Sequence, residues 1–415
     1  MKVAILGHGI EGKSAEEYFK KHNAEVTVFD PFNGTTDEVA QLGSFDLVMR
    51  SPSIPPHADK DWSSITKYFL KHCPCPIIGV TGTKGKGTTC SLIASLLEKL
   101  GHKIWLVGNI GKPALDILDD VHPDDVVVYE MSSFQLWDVE QSPHFAVVLR
   151  LEPDHLNVHV DYDDYVNAKS HITAFQTSDD VCVYYRDNVD SCKIAELSQG
   201  HKLSYPIRGN RSQIEIALKN LSIVGAHNGE NAEAALTVVA AFENKSLDEL
   251  LQSDPQKIAQ GLHDFYGLPH RMQFVRKFNN VSYYDDSFAT NTASLSVALK
   301  SFPGTPSILI LGGQDKTNNA DLPEIVQILQ NTKELKHTIL IGESGHALAQ
   351  NFDLPDSTLA ESLADAVVIA KQHAEKYANT KADSVVLFSP TAASFDMFES
   401  AYVRGDEFQK LVKDL

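Results

Sequence analysis

Within eight residues of one another, Gly82, Thr83, Lys84, Gly85, Lys86, Gly87, Thr88 and Thr89 bring together glycines, lysines and hydroxyls. This mixture suits one chemistry above others, the holding of a phosphate chain. Glycines let backbone N–H groups approach an anion closely, and a lysine adds a mobile positive charge. The stretch is PIIGVTGTKGKGTTCSLIASLLEKLG, from Pro76 to Gly101. It predicts a short apolar strand, the glycine-rich turn, and an amphipathic helix with Leu92, Ile93, Leu96, Leu97 and Leu100 on one face and Gly101 as its C-terminal cap. A helix starting at such a loop points its positive end at the bound anion. The pattern departs from G-x-x-x-x-G-K-[ST] in two places: Val80 stands where the first glycine belongs, and Gly87 delays the hydroxyl to Thr88, with Thr89 in reserve.

Further reactive groups are expected at strand ends. Glu130 closes VVVYE, where a carboxylate suits a hard cation or equally a helix N-cap. In LRLEPDHLNVHVDYDDYVNAKSHI, His155 and His159 are four apart, the spacing of a helical metal pair. Pro153 and the polar run predict a loop there instead, with His159 structural. Lys169 follows on an amphipathic helix and, by position alone, is a surface lysine. Asn228 and Asn231 share a helix face; they suit the edge of adenine or serve as caps.

The elements that must position these groups fall into three segments. Residues 1–74 open with VAILGHG, a helix from about Lys13, and EVTVFD ending at Asp30. Gly7, Gly9 and Gly12 satisfy G-x-G-x-x-G, the dinucleotide fingerprint. Alone it points to NAD and an oxidoreductase, but any nucleotide diphosphate can use the same turn. The HCPCP run is the expected linker. Residues 75–267 alternate strands IWLV, VVVYE and FAVVLR with helices, a parallel α/β pattern. Residues 268–415 begin a second, smaller doubly wound alternation with VSYYDD, SILILGG, HTILIG and SVVLFSP.

In order along the chain, the motifs resemble those of the Mur ligase superfamily, which includes the folylpolyglutamate synthases. The T-G-T-x-G-K loop is similar to its ATP loop, and the extra Gly87 to the folate branch. VMRSPSIPP (Val48 to Pro56) resembles its uridine-nucleotide segment. E-x-S-S-F-Q-L from Glu130 and G-N-I-G-x-P from Gly108 take the form found in the D-glutamate-adding branch. D-H-x-(D/N) with a later A-K, H-N-x-x-N-A from His227, GLPHR from Gly267, D-D-S-x-A-T-N from Asp285, GGQDK from Gly312 and SPTAASFDMFESAYVRGDEF from Ser389 complete the series.

The resemblance implies an α/β protein of three domains: a Rossmann-like 1–74 for the uridine substrate, a central P-loop-type ATPase sheet at 75–267, and a C-terminal domain at 268–415 for the amino acid. It implies an ATP-dependent amide ligase that adds D-glutamate to UDP-N-acetylmuramoyl-L-alanine through an acyl phosphate, a cytoplasmic step of peptidoglycan precursor synthesis. L-glutamate, another amino acid, or a folylpolyglutamate synthase activity are its alternatives. Lys86, Lys169, His155 and Glu130 are the implied catalytic residues. ATP falls to residues 82–89 with Asn228, Asn231, Arg271 and Asp286. The uridine substrate falls to Gly9, Ile10, Glu11, Gly12, Asp30, Ser51, Asn109, Ser132 and Ser133. Thr290, Lys316, Ser394 and Phe395 take the amino acid. Thr88, Glu130, His155 and Lys169, the last carbamylated, would serve two Mg2+ ions. Two positions depart from the family pattern: Phe288 replaces a lysine, and Ala401 stands where an aromatic flanks the amino-acid pocket.

Bulk properties agree. The 415 residues exceed one core, and 36 basic against 55 acidic residues give a net charge of −19, which disfavours nucleic acid and anionic membranes. With no apolar run of membrane-spanning length, no cleavable leader, and five cysteines without a C-x-x-C pair, a reducing, cytoplasmic setting is expected. A monomer acting on small molecules is the expectation for partners, although the sequence itself does not give the oligomeric state.

Overall fold

The computed structural model describes residues 1–57, 62–378 and 383–415. The first sheet is wholly parallel: β1 (Lys2–Leu6), β2 (Glu25–Phe29), β3 (Leu47–Arg50) and β4 (Ser63–Ser64) lie in the order β2-β1-β3-β4. Its first helix, Ile10–Lys21, begins three residues earlier than expected, because Gly9 is already the N-cap.

The second sheet is also parallel. Its strands are β5 (Ile77–Thr81), β6 (Ile104–Gly108), β7 (Val126–Glu130), β8 (Phe145–Val148), β9 (Val181–Tyr185) and β10 (His201–Tyr205), in the order β10-β9-β8-β5-β7-β6. β9 and β10 extend the sheet beyond the strands the sequence singled out. Strands buried on both faces read as continuous apolar runs, and β5 and β7 are buried along their whole length. The chain order reverses around β5, so the carboxyl ends of β5, β7 and β8 flank a topological switch point, where open α/β sheets bind ligands.

The two sheets form one compact unit, residues 1–221 with 229–265. Val3, Ile5 and Phe19 from the first share a buried cluster with Ile77, Val127 and Tyr129 from the second. Cys75, expected in a linker, is buried in that same cluster.

The second unit comprises residues 222–228 and 266–415. Its sheet contains β11 (Gln273–Phe278), β12 (Val281–Asp285), β13 (Ser307–Leu311), β14 (Leu335–Leu340), β15 (Ser357–Leu359) and β16 (Ser384–Phe388), ordered β11-β12-β16-β13-β14-β15. All pairs are parallel except β11 with β12. Asn279 and Asn280 join those two with φ of 50° and 60°, the left-handed pair that a tight hairpin needs. Among the described residues no helix is long and apolar enough to cross a membrane.

Candidate active site

The phosphate loop lies between β5 and the helix Lys86–Leu100. Gly85 is the helix N-cap with φ +87°, and a Cβ there would collide with Asn231 Oδ1. No other residue fits both that backbone and that neighbour. Thr83 pins the loop to the chain after β8: its N–H donates to Arg150 O (3.0 Å) and its hydroxyl to Glu152 O (2.9 Å). Lys86 folds back over the turn, with Nζ donating to Gly82 O (3.2 Å) and Thr83 O (3.0 Å). Lys84 is exposed and Thr88 half-buried, whereas Thr89 Oγ1 is buried with no hydrogen-bond partner. The reserve hydroxyl is thus the one left with an unmet polar requirement.

Lys169 is not on the surface. It lies on the helix Tyr162–Ala174, 1% exposed, and its Nζ donates to Gly82 O (3.0 Å) and Thr81 Oγ1 (3.4 Å). Tyr165, one turn earlier, lays its ring 4.7 Å from that nitrogen and meets Thr83 Oγ1 with its hydroxyl (3.0 Å). Burial, and then the like charge of Lys86, hold the amine well below the ordinary lysine range against the opposing pull of Asp154 and Glu130. The shift favours the uncharged amine, the nucleophilic form. Tyr165 was not singled out by motif, although the i, i+4 spacing to Lys169 carried the signal.

Glu130 ends β7, 7% exposed, and the carbonyl of the same residue is so close to Gly108 that a side chain there could not fit. This brings the exposed Asn109, the residue after β6, to the same sheet edge. Ser132 caps the short helix Ser133–Leu136 in a capping box with Gln135, and the buried Ser133 Oγ lies 3.0 Å from His159 Nε2. His159, also bonded to Asp164 (2.9 Å), is a buried structural residue on an irregular stretch, as expected. His155 is exposed with φ 54°, its ring 5.0 Å from that of Phe134. Among the described residues no three His, Cys, Asp or Glu side chains are grouped to hold a metal.

The loop of the first sheet is built on the same plan. A Cβ on Gly12 would collide with the Gly7 carbonyl, whereas one on Gly9 would meet open space. Gly9 and Ile10 therefore face outward at the start of the helix, beside exposed Asp30. Ser51 braces the turn by donating to Gly7 O (2.9 Å). Glu11, in the first helical turn, accepts from Gln135 Nε2 (2.7 Å), tying this loop to the capping box of the second sheet.

In the second unit, Ser389 Oγ (2.9 Å) and Met272 N–H (3.2 Å) donate to Asp286, whose burial pushes it up to about 7. Burial also acts on Asp285, but hydrogen bonds from His270, Ser287 and Gln409 outweigh it and hold the group below its usual range. The GGQDK loop is bridged to the following motif through Gln314 and Ala393, which sets Lys316 Nζ 5.7 Å from the Phe395 ring. Thr290 is exposed and Ser394 buried. The two departures from pattern come together: Phe288 packs edge-on against Tyr402 at 4.7 Å, so an aromatic ring is present one residue after Ala401. Exposed Arg271 lies 5.6 Å from the Phe288 ring. Asn228 is satisfied within its own turn, donating to Val224 O (2.7 Å).

Residues 80–239 match the model of the Mur ligase middle domain, and residues 270–392 that of the Mur ligase glutamate ligase domain. The chain is 31% identical to the UDP-N-acetylmuramoylalanine–D-glutamate ligase of Clostridium tetani, over all of this chain and 97% of that one. Among solved structures it is similar in fold to MurF of Acinetobacter baumannii, with a TM-score of 0.60, 17% identity, and 91% and 87% of the two chains covered. It is also similar to an ADP complex of the folylpolyglutamate synthase of Mycobacterium tuberculosis, with a TM-score of 0.57, 15% identity, and 84% and 94% covered.

Proposed function

The chain belongs to the Mur ligase family, and we propose that it is the ATP-dependent ligase that joins D-glutamate to UDP-N-acetylmuramoyl-L-alanine. The full-length match to a ligase of that specificity carries the reading. The three sheets then divide the labour: residues 1–74 hold the uridine nucleotide, 75–267 the ATP, and 268–415 the amino acid.

A carboxylate does not acylate an amine in neutral water, so it must be activated first. Its oxygen attacks the γ-phosphorus of ATP, ADP leaves, and an acyl phosphate forms. The amine of glutamate then adds to the acyl carbon, loses a proton, and expels inorganic phosphate as the amide forms. Such transfers depend on positioning and on neutralising oxygen charge. The N-terminal amides of the helix Lys86–Leu100 would cradle the phosphates, and Lys86 would exchange its loop carbonyls for phosphate oxygens. For Asn228, Arg271 and Asp286 the ATP assignment rests on the motifs.

A divalent cation fits the residues present. Thr89 has a buried hydroxyl with an unmet bond, Glu130 is a buried carboxylate, and Lys169 has a buried amine. If the amine adds to CO2, losing one proton, the resulting carbamate supplies the anionic oxygens that the donor set lacks. Thr88 or Thr89, Glu130, carbamylated Lys169 and His155 would hold Mg2+, which supplies charge neutralisation at the transferring phosphoryl group. Lys316, with Thr290, Ser394 and Phe395, is assigned to the glutamate side chain, where a buried carboxylate needs a cation. We assign the chain to the cytoplasm as a monomer.

The test is phosphate release with ATP, Mg2+ and UDP-N-acetylmuramoyl-L-alanine, offering D-glutamate, L-glutamate and neutral or basic amino acids separately. Turnover with D-glutamate is expected. Preference for a neutral or basic amino acid, or turnover of a folate in place of the uridine substrate, overturns the assignment.

A further inference from the structure

We propose that Cys73 and Cys75 form a redox site at which a hydroperoxide oxidises the first thiol and the second closes a reversible intrachain disulfide with it. The pair lies outside the ligase chemistry proposed above and uses none of its residues.

The chain sets the two sulfurs side by side. Cys73 is the C-cap of the helix Ile65–His72, and its N–H still donates to Phe69 O (2.9 Å). Pro74 follows, and the residue before a proline is kept out of the helical region, as φ −67° and ψ 123° at Cys73 show. In extended backbone, residues two apart face the same side. Cys73 Sγ accordingly stands 3.7 Å from Cys75 Sγ. Pro76 then leads into β5, so the pair occupies the passage from the first sheet to the second.

The two thiols differ in access. Cys73 is half-buried, whereas Cys75 is 2% exposed and packs in the cluster common to both sheets. With Cys75 as donor, their contact holds the Cys73 thiol below its ordinary range. The same bond, and then burial, push Cys75 up, and Asp125 just before β7 adds to that push. A reachable thiolate beside a shielded thiol is the arrangement of an attacking and a resolving cysteine. Cys192 is also half-buried, but its thiol turns to Arg186 O (3.4 Å), with no sulfur contact among the described residues.

The Cys73 thiolate attacks one oxygen of the hydroperoxide; an S–O bond forms, the O–O bond breaks, and the leaving oxygen takes up a proton. The Cys75 sulfur then attacks the sulfenic sulfur of Cys73. The S–S bond forms, and hydroxide departs with the Cys75 proton as water. The two thiols give up two electrons, and hydrogen peroxide becomes two waters. The sulfurs close from 3.7 Å to about 2.0 Å, most freely by rotation of the less buried Cys73 side chain. Closure stops oxidation short of the sulfinic acid, which thiols do not reverse.

The experiment treats the full chain with hydrogen peroxide, blocks remaining thiols with N-ethylmaleimide, and digests with trypsin. Cleavage after Lys71 and Lys84 releases both cysteines in one peptide. In wild type that peptide should be about 2 Da lighter than its reduced form, resist alkylation, and return to two free thiols with dithiothreitol. Cys75→Ala should leave Cys73 as a sulfenic acid that dimedone traps. In Cys73→Ala, Cys75 should react with peroxide at least about tenfold more slowly than Cys73 does in C75A. Cys192 should form no disulfide. A wild-type peptide that keeps two free thiols, or carries Cys73 as sulfinic acid without the S–S bond, overturns the site, and this reading needs neither variant. Dimedone labelling of Cys75 in C73A as fast as that of Cys73 in C75A overturns the assigned roles.

Discussion

Two glycine-rich loops in one compact unit share a backbone plan and differ in the charge buried behind it. Gly7–Gly12 and Gly82–Gly87 each follow a parallel strand and open a helix. Behind the first stands an acid, Glu11, with one oxygen unmet; behind the second stands an amine, Lys169, bonded to the loop carbonyl of Gly82. Burial pushes each toward its neutral form, the acid up and the amine down. Turn geometry is thus shared, and the two loops differ in the ionisable side chain held beside them, an acid at the first and an amine at the second.

The strongest way to break this contrast is at Lys86. Lys86→Ala should lower ATP-dependent phosphate release at least about a thousandfold with the melting temperature little changed, because the lost charge lies on a solvent-reachable loop. Near-normal turnover would remove the second loop from the chemistry. Next comes Lys169→Ala, expected to cost about a hundredfold or more and to be partly restored by formate or acetate. Carbon-13 NMR of the active enzyme supplied with labelled bicarbonate should show a carbamate that K169A lacks. Its absence from active wild type would leave the amine a structural group.

Gly85→Ala probes the cradle itself. The substitution forces a side chain onto Asn231 and into a left-handed backbone, and should raise the KM for ATP about tenfold. Adding Asn231→Ala should recover part of that loss if the collision matters more than the backbone. The smallest effect concerns pH. Glu11 titrates near 7 when folded and near 4.5 when unfolded, so the folded chain binds the extra proton between those values. The associated stability is present below about pH 4.5 and is lost as pH rises through about 7. Wild type should lose at most about 3 kcal/mol relative to E11Q across that window, with a constant gap above it. Urea unfolding at several pH values measures this, and parallel curves would show that Glu11 is ionised throughout.

Local backbone was legible in the sequence. Gly82, Gly85 and Gly87 marked a tight turn between a strand and a helix, and Gly7, Gly9 and Gly12 marked the other. What was not legible depends on packing from distant segments. Lys169 sits on a helix of low polarity contrast, and its burial comes from Tyr165 and the loop above it. The Glu11–Gln135 bond spans 124 positions, and no local pattern forecasts it. The family pattern places the aromatic at position 401, which is Ala401 here, and only packing shows that Tyr402 supplies a ring against Phe288. The antiparallel edge strand Gln273–Phe278 lay outside the expected doubly wound alternation, although Asn279 and Asn280, residues that tolerate positive φ, were its signal.

The buried position of Cys75 carries a thermodynamic consequence. Because the chain passing from the first sheet to the second runs through their common apolar cluster, neither sheet can melt while the other keeps its core dry. A ligand on either glycine-rich loop then stabilises both. Uridine nucleotide and ATP, added separately, should raise the same calorimetric transition, and their contributions should be additive in free energy when neither alters the other's affinity.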